Sequence, residues 1–484
     1  MDLFGTAGIR GDARTRVTPQ LALAVGQAVG TGIGDQDSRA ESGRRPDTDG
    51  APEVVIARDG RDTGPALAAA MEAGLASAGV RALRAGQLPT PALAFASRGR
   101  RGVMLTASHN PPHDNGIKLF ADGSEFPREL EEAVEEAVAD GTNPAAWDDW
   151  TERETTSVLP AYRRAVVEYT WSFIGAGSDE EPPLAGMRVA VDCGNGMASL
   201  ATPQVLRELG ATVLTLNGNV DGHFPGRESK PTPESLSDLR RFVADADDIA
   251  FGIGHDGDAD RIVIVDAEGE VIHEDTVLAI LAEEYVRRSA ADEPGAEANN
   301  PVVVTTPNAS SRIDERVRAA GGRVERVRLG ALHEGLASVD ADGGDVVFAA
   351  EPWKHIHTAF GVWIDGVASA AVTSCLVARE GLDALCAPVS ARPYRKVSVD
   401  CPDDRKTGAM ERLSETLPAA FPAADVSTEH GIRLSFPDES WLLVRPSGTE
   451  PYVRLYAESD DVEELVATAR DAIEDAIEAA ADAE

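Results

Sequence analysis

Three apolar runs along the chain, Glu53–Ala57 (EVVIA), Arg188–Asp192 (RVAVD) and Pro301–Thr305 (PVVVT), open units of the same shape. Each is a strand-like stretch followed by a polar loop and a helix-like segment. Each unit then closes through a glycine into a second strand, within SAGVRALRAG, ELGATVLTLN and AGGRVERVRLG. The distance from strand to glycine is about 20 to 25 residues, the length of one supersecondary unit. The repetition predicts three related mixed α/β domains.

Toward the C-terminus the pattern changes. Extended runs at Lys396–Asp400 and Trp441–Arg445 flank one helix-like stretch, and a final helix starts near Asp461. In that helix Val462, Leu465, Val466, Ala469 and Ile473 form one apolar face among Asp and Glu. A smaller C-terminal two-layer α+β domain is expected. Polar or proline-bearing stretches near Thr156, Asp266–Gly269 and Ala387–Arg392 divide the chain into domains 1–155, 156–268, 269–388 and 389–484. Asp35–Pro52, polar and rich in Gly, Pro and Ser, reads as a mobile surface insertion.

The whole-chain numbers fit this picture. With 484 residues, 43% hydrophobic and 26% charged, the chain has material for several cores. No run approaches the ~18 consecutive apolar residues of a membrane span. Met1–Arg10 carries neither a basic region nor an apolar stretch, so a cytoplasmic protein is expected. Cys193, Cys375, Cys386 and Cys401 lack metal-site spacing and read as reduced thiols. The net charge of −37 is extreme, and Lys118, Lys230, Lys354, Lys396 and Lys406 are the only lysines. Molar salt shortens the screening length to about 3 Å and relieves such self-repulsion. The charge therefore predicts the high-salt cytoplasm of a halophile, argues against nucleic acid or an anionic membrane as partner, and demands a local basic pocket for any anionic substrate.

Four segments carry candidate chemistry. Thr106–Lys118 (TASHNPPHDNGIK) follows the apolar Val103–Leu105 and precedes Leu119 and Phe120. It reads as strand, loop, an Asn115-Gly116 turn and second strand, with Ser108 at a strand end and Lys118 returning toward it. Ser108 lacks the flanking glycines of a nucleophile elbow, and His109 is badly placed for a Ser-His-Asp triad. Gly254–Arg261 (GHDGDADR) lies between strand-like runs, and Asp256, Asp258 and Asp260 can converge on one hard cation such as Mg²⁺. An EF-hand would need glycine and glutamate where Arg261 and Ala267 stand. In Arg445–Pro451 (RPSGTEP), an arginine fork, the hydroxyls of Ser447 and Thr449 and the backbone at Gly448 suit a phosphate dianion. In Ala350–His355 (AEPWKH), Glu351 and His355 can address sugar hydroxyls while Trp353 offers a packing face. Gly194–Ser199 (GNGMAS) resembles a dinucleotide loop only superficially, because Ser199 stands where a third glycine belongs.

In this order the four segments, with FGTAGIRG at Phe4–Gly11, resemble the α-D-phosphohexomutase superfamily over nearly the whole chain. The resemblance implies four domains around a central cleft. It implies a phosphoserine at Ser108 whose phosphate joins Asp256, Asp258 and Asp260 around Mg²⁺, and a sugar bisphosphate formed in the cycle and serving as activator. By resemblance, Lys118 is the acid/base with Arg10 beside it, in a pocket whose arginines lower the lysine pKa. His109, Asn110 and Arg261 orient phosphate, and Arg445, Ser447, Gly448 and Thr449 hold the second phosphate.

One loop departs from the family pattern. Where many relatives resemble Gly-Glu-Met-Ser-Gly-His, this chain matches at Glu351 and His355 but carries Trp353 and Lys354 in place of serine and glycine. The first expectation is a mutase for mannose or glucose phosphates. The alternatives are a phosphoglucosamine mutase or a ribose 1-/5-phosphate mutase with its pocket narrowed by Trp353. A sugar phosphatase would have little use for a second phosphate clamp.

Overall fold

The computed structural model describes residues 3–5, 8–36, 52–177, 181–292, 301–389, 392–447 and 451–481. Nearly all of the polar insertion, residues 37–51, lies outside them. The chain divides into two compact units, 1–272 with 353–382, and 273–352 with 383–484. The first unit includes segment 353–382, whose helix Gly366–Glu380 packs against the helices Leu159–Phe173 and Thr202–Glu208. Among the described residues no helix is long and apolar enough to cross a membrane.

The first unit holds two sheets. One runs in the order Ile9–Asp12, Asp114–Ala121, Arg101–Leu105, Glu53–Arg58, Arg81–Gln87, Glu154–Thr155, with Ser124–Glu125 at the side of Asp114–Ala121. The other runs Val263–Val265, Phe251–Gly254, Arg188–Asp192, Thr212–Leu216. In the second unit, Val302–Thr305 pairs with both Arg323–Arg326 and Val346–Glu351. The repeat is real: in all three cases the first strand pairs in parallel with the strand after its helix, Val54 with Ala82, Arg188 with Thr212 and Val302 with Arg323. A crossover helix is what permits a parallel neighbour.

The expected Asn115-Gly116 turn is not there. Both residues lie within the strand Asp114–Ala121, which continues because Ile9–Asp12 pairs with it antiparallel, Arg10 opposite Gly116. A Cβ on Gly116 would sit 2.3 Å from the Thr106 carbonyl and 2.7 Å from that of Ile9. The glycine thus answers a close approach between strands, not a turn.

The C-terminal sheet is antiparallel, ordered Tyr394–Asp400, Tyr452–Glu458, Trp441–Pro446, Ile432–Ser435, Asp425–Ser427. Helices Lys406–Ala420 and Val462–Ala481 complete its core, and Val462, Leu465, Val466, Ala469 and Ile473 are all buried there as the helical spacing predicts.

Candidate active site

The serine loop leaves the buried strand Arg101–Leu105 and returns as Asp114–Ala121, so that Met104 faces Lys118 across the ladder. Ser108 has φ 52°, a left-handed conformation costing a non-glycine residue about 1 kcal/mol. Its surroundings hold it there. Its N–H donates to Thr106 Oγ1 at 2.9 Å, and Thr106 donates to Asp59 Oδ2 at 2.7 Å. Arg61, with 0% exposure, donates to the carbonyls of Ser108 (3.0 Å), Asn110 (2.7 Å), Asp114 (3.0 Å) and Pro111, and pairs with Asp59 at 3.0 Å. Sequence reasoning missed this guanidinium. Its signal was an acid-Gly-Arg stretch, Asp59–Arg61, directly after a buried strand.

The carboxylate loop joins two antiparallel strands, Phe251–Gly254 and Val263–Val265, and not the helices of an EF-hand. Asp256, Asp258 and Asp260 are buried, and each offers an oxygen within 4.8 Å of the others. Gly257 lets this loop press on the serine loop, since a Cβ there would meet the Ser108 carbonyl at 2.6 Å. From behind, Met197 N–H donates to the Gly257 carbonyl at 3.0 Å, so the GNGMAS segment buttresses the loop.

Three donors converge on the carboxylates. Ser108 Oγ donates to Asp256 Oδ2 at 2.7 Å, and Thr90, another residue missed in the sequence, donates to Asp258 Oδ2 at 2.6 Å. Lys118 Nζ donates to Asp260 Oδ2 at 2.8 Å and Asp258 Oδ2 at 3.4 Å. The Oδ1 atoms of Asp258 and Asp260 are buried without a hydrogen-bond partner among the described residues. Buried oxygens so placed fit a hard divalent cation, and the three candidate ligands, Asp256, Asp258 and Asp260, are carboxylates as Mg²⁺ prefers.

The local field corrects one expectation. Burial pulls the Lys118 ammonium down, but the carboxylates of Asp260 and Asp258 outweigh it and leave its pKa raised, not lowered by arginines. Asp256 is pushed up by burial and then by its two acidic neighbours. At Asp260 burial is outweighed by Lys118, Lys354 and Arg261, which draw it down. His109 is pushed down to about 2 by burial and then by Arg261 and Arg10, so it is a neutral imidazole with Nδ1 3.4 Å from Ser108 Oγ. Arg10, paired opposite Gly116, stands on the same strand face as Lys118. Asn110 turns its amide to Asp114 Oδ2 at 3.0 Å and so braces the serine loop.

The expected sugar segment divides between the two units. In the second, Glu351 accepts from the Gly330 N–H. In the first, Trp353 packs its ring against the apolar cluster of Ala190, Leu236, Leu239 and Val263, and its carbonyl accepts from Ile262 N–H at 3.2 Å. Lys354 forms an antiparallel bridge with Arg261. His355 is turned inward, 1% exposed, with Nδ1 3.1 Å from Ser369 Oγ and a pKa pushed down to about 3 by burial. It faces the helix Gly366–Glu380, not solvent.

In the second unit, Arg445 lies opposite Arg454 on neighbouring strands and donates to Tyr456 Oη at 3.3 Å. Ser447 takes Lys406 Nζ on its carbonyl at 2.7 Å. Lys396 adds its ammonium 5.5 Å from the Tyr456 ring centroid. Arg445 and Lys396 thus gather positive charge around Tyr456 on the C-terminal sheet of an acidic protein. Gly448 and Thr449 lie outside the described residues.

Family models described as phosphoglucomutase/phosphomannomutase, alpha/beta/alpha domain I, alpha/beta/alpha domain II and C-terminal domain match residues 1–145, 168–269 and 397–476. A phosphopentomutase of Thermococcus kodakarensis is 40% identical over 466 residues, 95% of this chain and 94% of that protein. The chain belongs to the phosphoglucomutase/phosphomannomutase family. A probable phosphoglucosamine mutase of Methanopyrus kandleri is 37% identical over 471 residues, covering 95% and 94% of the two chains. Among solved structures, a phosphoglucomutase/phosphomannomutase family protein of Burkholderia thailandensis superposes with a TM-score of 0.80 at 25% identity, over 99% of this chain and 97% of that one. This member of the phosphoglucomutase/phosphomannomutase family is thus an isomerase of the phosphohexomutase type. Its serine and carboxylate loops form one buried cluster within the first unit, while Glu351, Arg445 and Ser447 belong to the second.

Proposed function

We propose that the chain moves a phosphoryl group between the anomeric and terminal oxygens of a pentose phosphate, through a phosphoserine at Ser108 and a bisphosphorylated sugar. The observation that carries the reaction class is the contact of Ser108 Oγ with Asp256, 2.7 Å apart inside a buried three-carboxylate loop. As to the sugar, the relative at 40% identity is named a phosphopentomutase and the one at 37% a probable phosphoglucosamine mutase. Those names support the two alternatives of the sequence reading better than its mannose or glucose expectation. Glucosamine phosphate is the second reading.

In the first half-cycle a sugar hydroxyl oxygen bonds to phosphorus as the bond from phosphorus to Ser108 Oγ breaks. In the second, the other phosphate of the bisphosphate returns to Ser108. Mg²⁺ held by Asp256, Asp258 and Asp260 with the Ser108 phosphate would neutralise phosphoryl charge and withdraw from Lys118 the carboxylate charge that keeps it protonated. Lys118 is assigned the proton of the sugar hydroxyl, while Arg10 stays charged and stabilises the oxygens. Neutral His109 and Arg261 face the phosphate. Glu351 is assigned a sugar hydroxyl, and Arg445 and Ser447, with Gly448 and Thr449, the phosphate not in transfer.

The presence of one sheet in each of the segments 1–155, 156–268, 269–388 and 389–484 supports keeping that division into four domains. A high-salt cytoplasm and the absence of a nucleic-acid partner remain readings of the −37 charge. The test is turnover of ribose, glucosamine, glucose and mannose 1-phosphates with Mg²⁺, molar KCl and a bisphosphate primer. Ribose 1-phosphate should give the highest kcat/KM with no release of free phosphate. Preference for glucosamine moves the second reading first, and preference for mannose or glucose rejects both.

A further inference from the structure

Trp353 and Lys354 replace the small residues of the sugar-reading pattern, and the structure shows how the segment that carries them is held. Trp353 has φ 69°, a conformation a bulky side chain adopts only when its surroundings impose it. What imposes it is the ring's seat on the apolar cluster around Leu236, Leu239 and Val263, together with the hydrogen bond from Ile262 N–H to the Trp353 carbonyl at 3.2 Å. The next residue, Lys354, is bridged to Arg261, which directly follows the carboxylate Asp260. The segment is therefore stitched to the exit of the carboxylate loop at two successive positions. The Lys354 ammonium acts electrostatically on Asp260, one of the three converging carboxylates, and on His109, the neighbour of Ser108.

We infer that Lys354 belongs to the phosphoryl-transfer station around Ser108, where its ammonium faces the oxygens of the phosphoryl group in transit, and that Trp353 is the anchor holding it there. The inference rests on the mutase reading and changes the role of the departing loop within it. A phosphoryl group in flight spreads negative charge over three oxygens, and stabilising that charge is the main task left to the protein. Lys118 and Lys354 supply two ammonium groups near Asp260 to that end. Lys354 keeps its proton throughout and forms or breaks no bond. A residue in this role acts on every substrate alike, since the phosphoryl group is common to all, whereas a reader of hydroxyls acts on one sugar more than another.

The full-length chain with Lys354→Met and with Lys354→Arg decides between them. Turnover is measured on ribose, glucosamine and glucose 1-phosphates with Mg²⁺, and single-turnover transfer from a sugar bisphosphate to Ser108 is read by intact mass. We expect Lys354→Met to lower kcat on all three sugars by a common factor of about 10²-fold, with the transfer to Ser108 slowed to match and Lys354→Arg recovering part of the loss. Unchanged transfer to Ser108, or a loss that reorders the sugars, overturns the inference even where the variant turns over too slowly for steady-state assay. Wild-type protein that accepts no phosphate on Ser108 overturns the mutase reading itself; wild-type phosphorylation with an indifferent Lys354→Met overturns this inference alone.

Discussion

Ser108 Oγ and Asp256 Oδ2 are 2.7 Å apart although 148 residues separate them in the chain. The hydroxyl is held by a carboxylate that burial and two neighbouring acids push toward protonation. Around it, Lys118 is the cation already paired with those neighbours. A nucleophile so placed is insulated from bulk water and surrounded by fixed charge, the condition for phosphoryl transfer by electrostatic stabilisation.

Ser108→Ala should abolish phosphate incorporation and lower mutase turnover by at least about 10³-fold, as removal of a nucleophile does elsewhere. Ser108→Gly should be equally inactive, yet more stable than Ser108→Ala by about 1 kcal/mol, because φ 52° is free for glycine and strained for alanine. Chemical denaturation of the two variants compares them. Equal stability would mean that the loop relaxes out of the left-handed conformation once the hydroxyl is gone.

Arg61→Met should damage the enzyme without touching a reacting atom. It strips donors from four loop carbonyls and leaves Asp59 buried without its partner. Breaking a buried pair on one side costs about 3–5 kcal/mol. The double change Asp59→Asn with Arg61→Met should recover part of the stability but not the rate of Ser108 phosphorylation, since the carbonyls stay unheld. Recovery of both would reduce Arg61 to a counter-charge.

Removing Mg²⁺ should destabilise the wild type, because three buried carboxylates then face one another, offset in part by Lys118, Arg261 and Lys354. A ligand at one hundred times its Kd adds about 2.7 kcal/mol. The Tm should therefore rise on adding Mg²⁺ to chelated protein, and Asp258→Asn should remove most of that rise. Magnesium titration followed by calorimetry is the check, and an equal rise in the variant would place the ion elsewhere.

The chemistry legible in the sequence is the chemistry written within one loop. Ser108-His109-Asn110 and the alternating aspartates carry their partners' spacing with them, and the final helix declares its buried face by period alone. What remained hidden depends on non-local pairing. Arg61 acts on carbonyls 47 residues or more away, and Thr90 acts on a carboxylate 168 residues away. Asn115 and Gly116 have the composition of a turn, and only the pairing of Ile9–Asp12 makes them strand. The acidic neighbours of Lys118, Asp258 and Asp260, lie 140 and 142 residues away and are reached only through the fold. Likewise nothing local shows that His355 turns inward to Ser369 while the charge of Lys354 acts on Asp260.

The inward His355 predicts acid sensitivity. Its unfolded imidazole takes up a proton near the ordinary value of about 6.5, while the buried one resists until about 3. Between those values the unfolded state binds more protons, so stability is full above pH 6.5 and falls as pH drops through the window, by at most about 1.4 kcal/mol per pH unit. Replacing it in His355→Asn should flatten the Tm-against-pH curve between pH 6.5 and 3. His255, pushed down to about 4 by burial, keeps part of the slope in the variant. An unchanged slope would show that His355 already becomes exposed before global unfolding.

Salt should act on substrate capture with a sign opposite to that usual for an enzyme of anionic substrates. The net charge of −37 repels a sugar phosphate at long range, whereas Arg445, Arg454, Lys396 and Lys406 attract it only close at hand. The screening length falls from about 10 Å at 0.1 M to 3 Å at 1 M, so added KCl removes the distant repulsion first and leaves direct contacts within the pocket least affected. KM for the sugar phosphate should therefore fall between 0.1 and 1 M KCl, and the Tm should rise over the same range as self-repulsion is screened. A KM that climbs steadily with KCl would mean that the local basic pocket governs capture at every distance. In that case the acidic surface serves solubility alone.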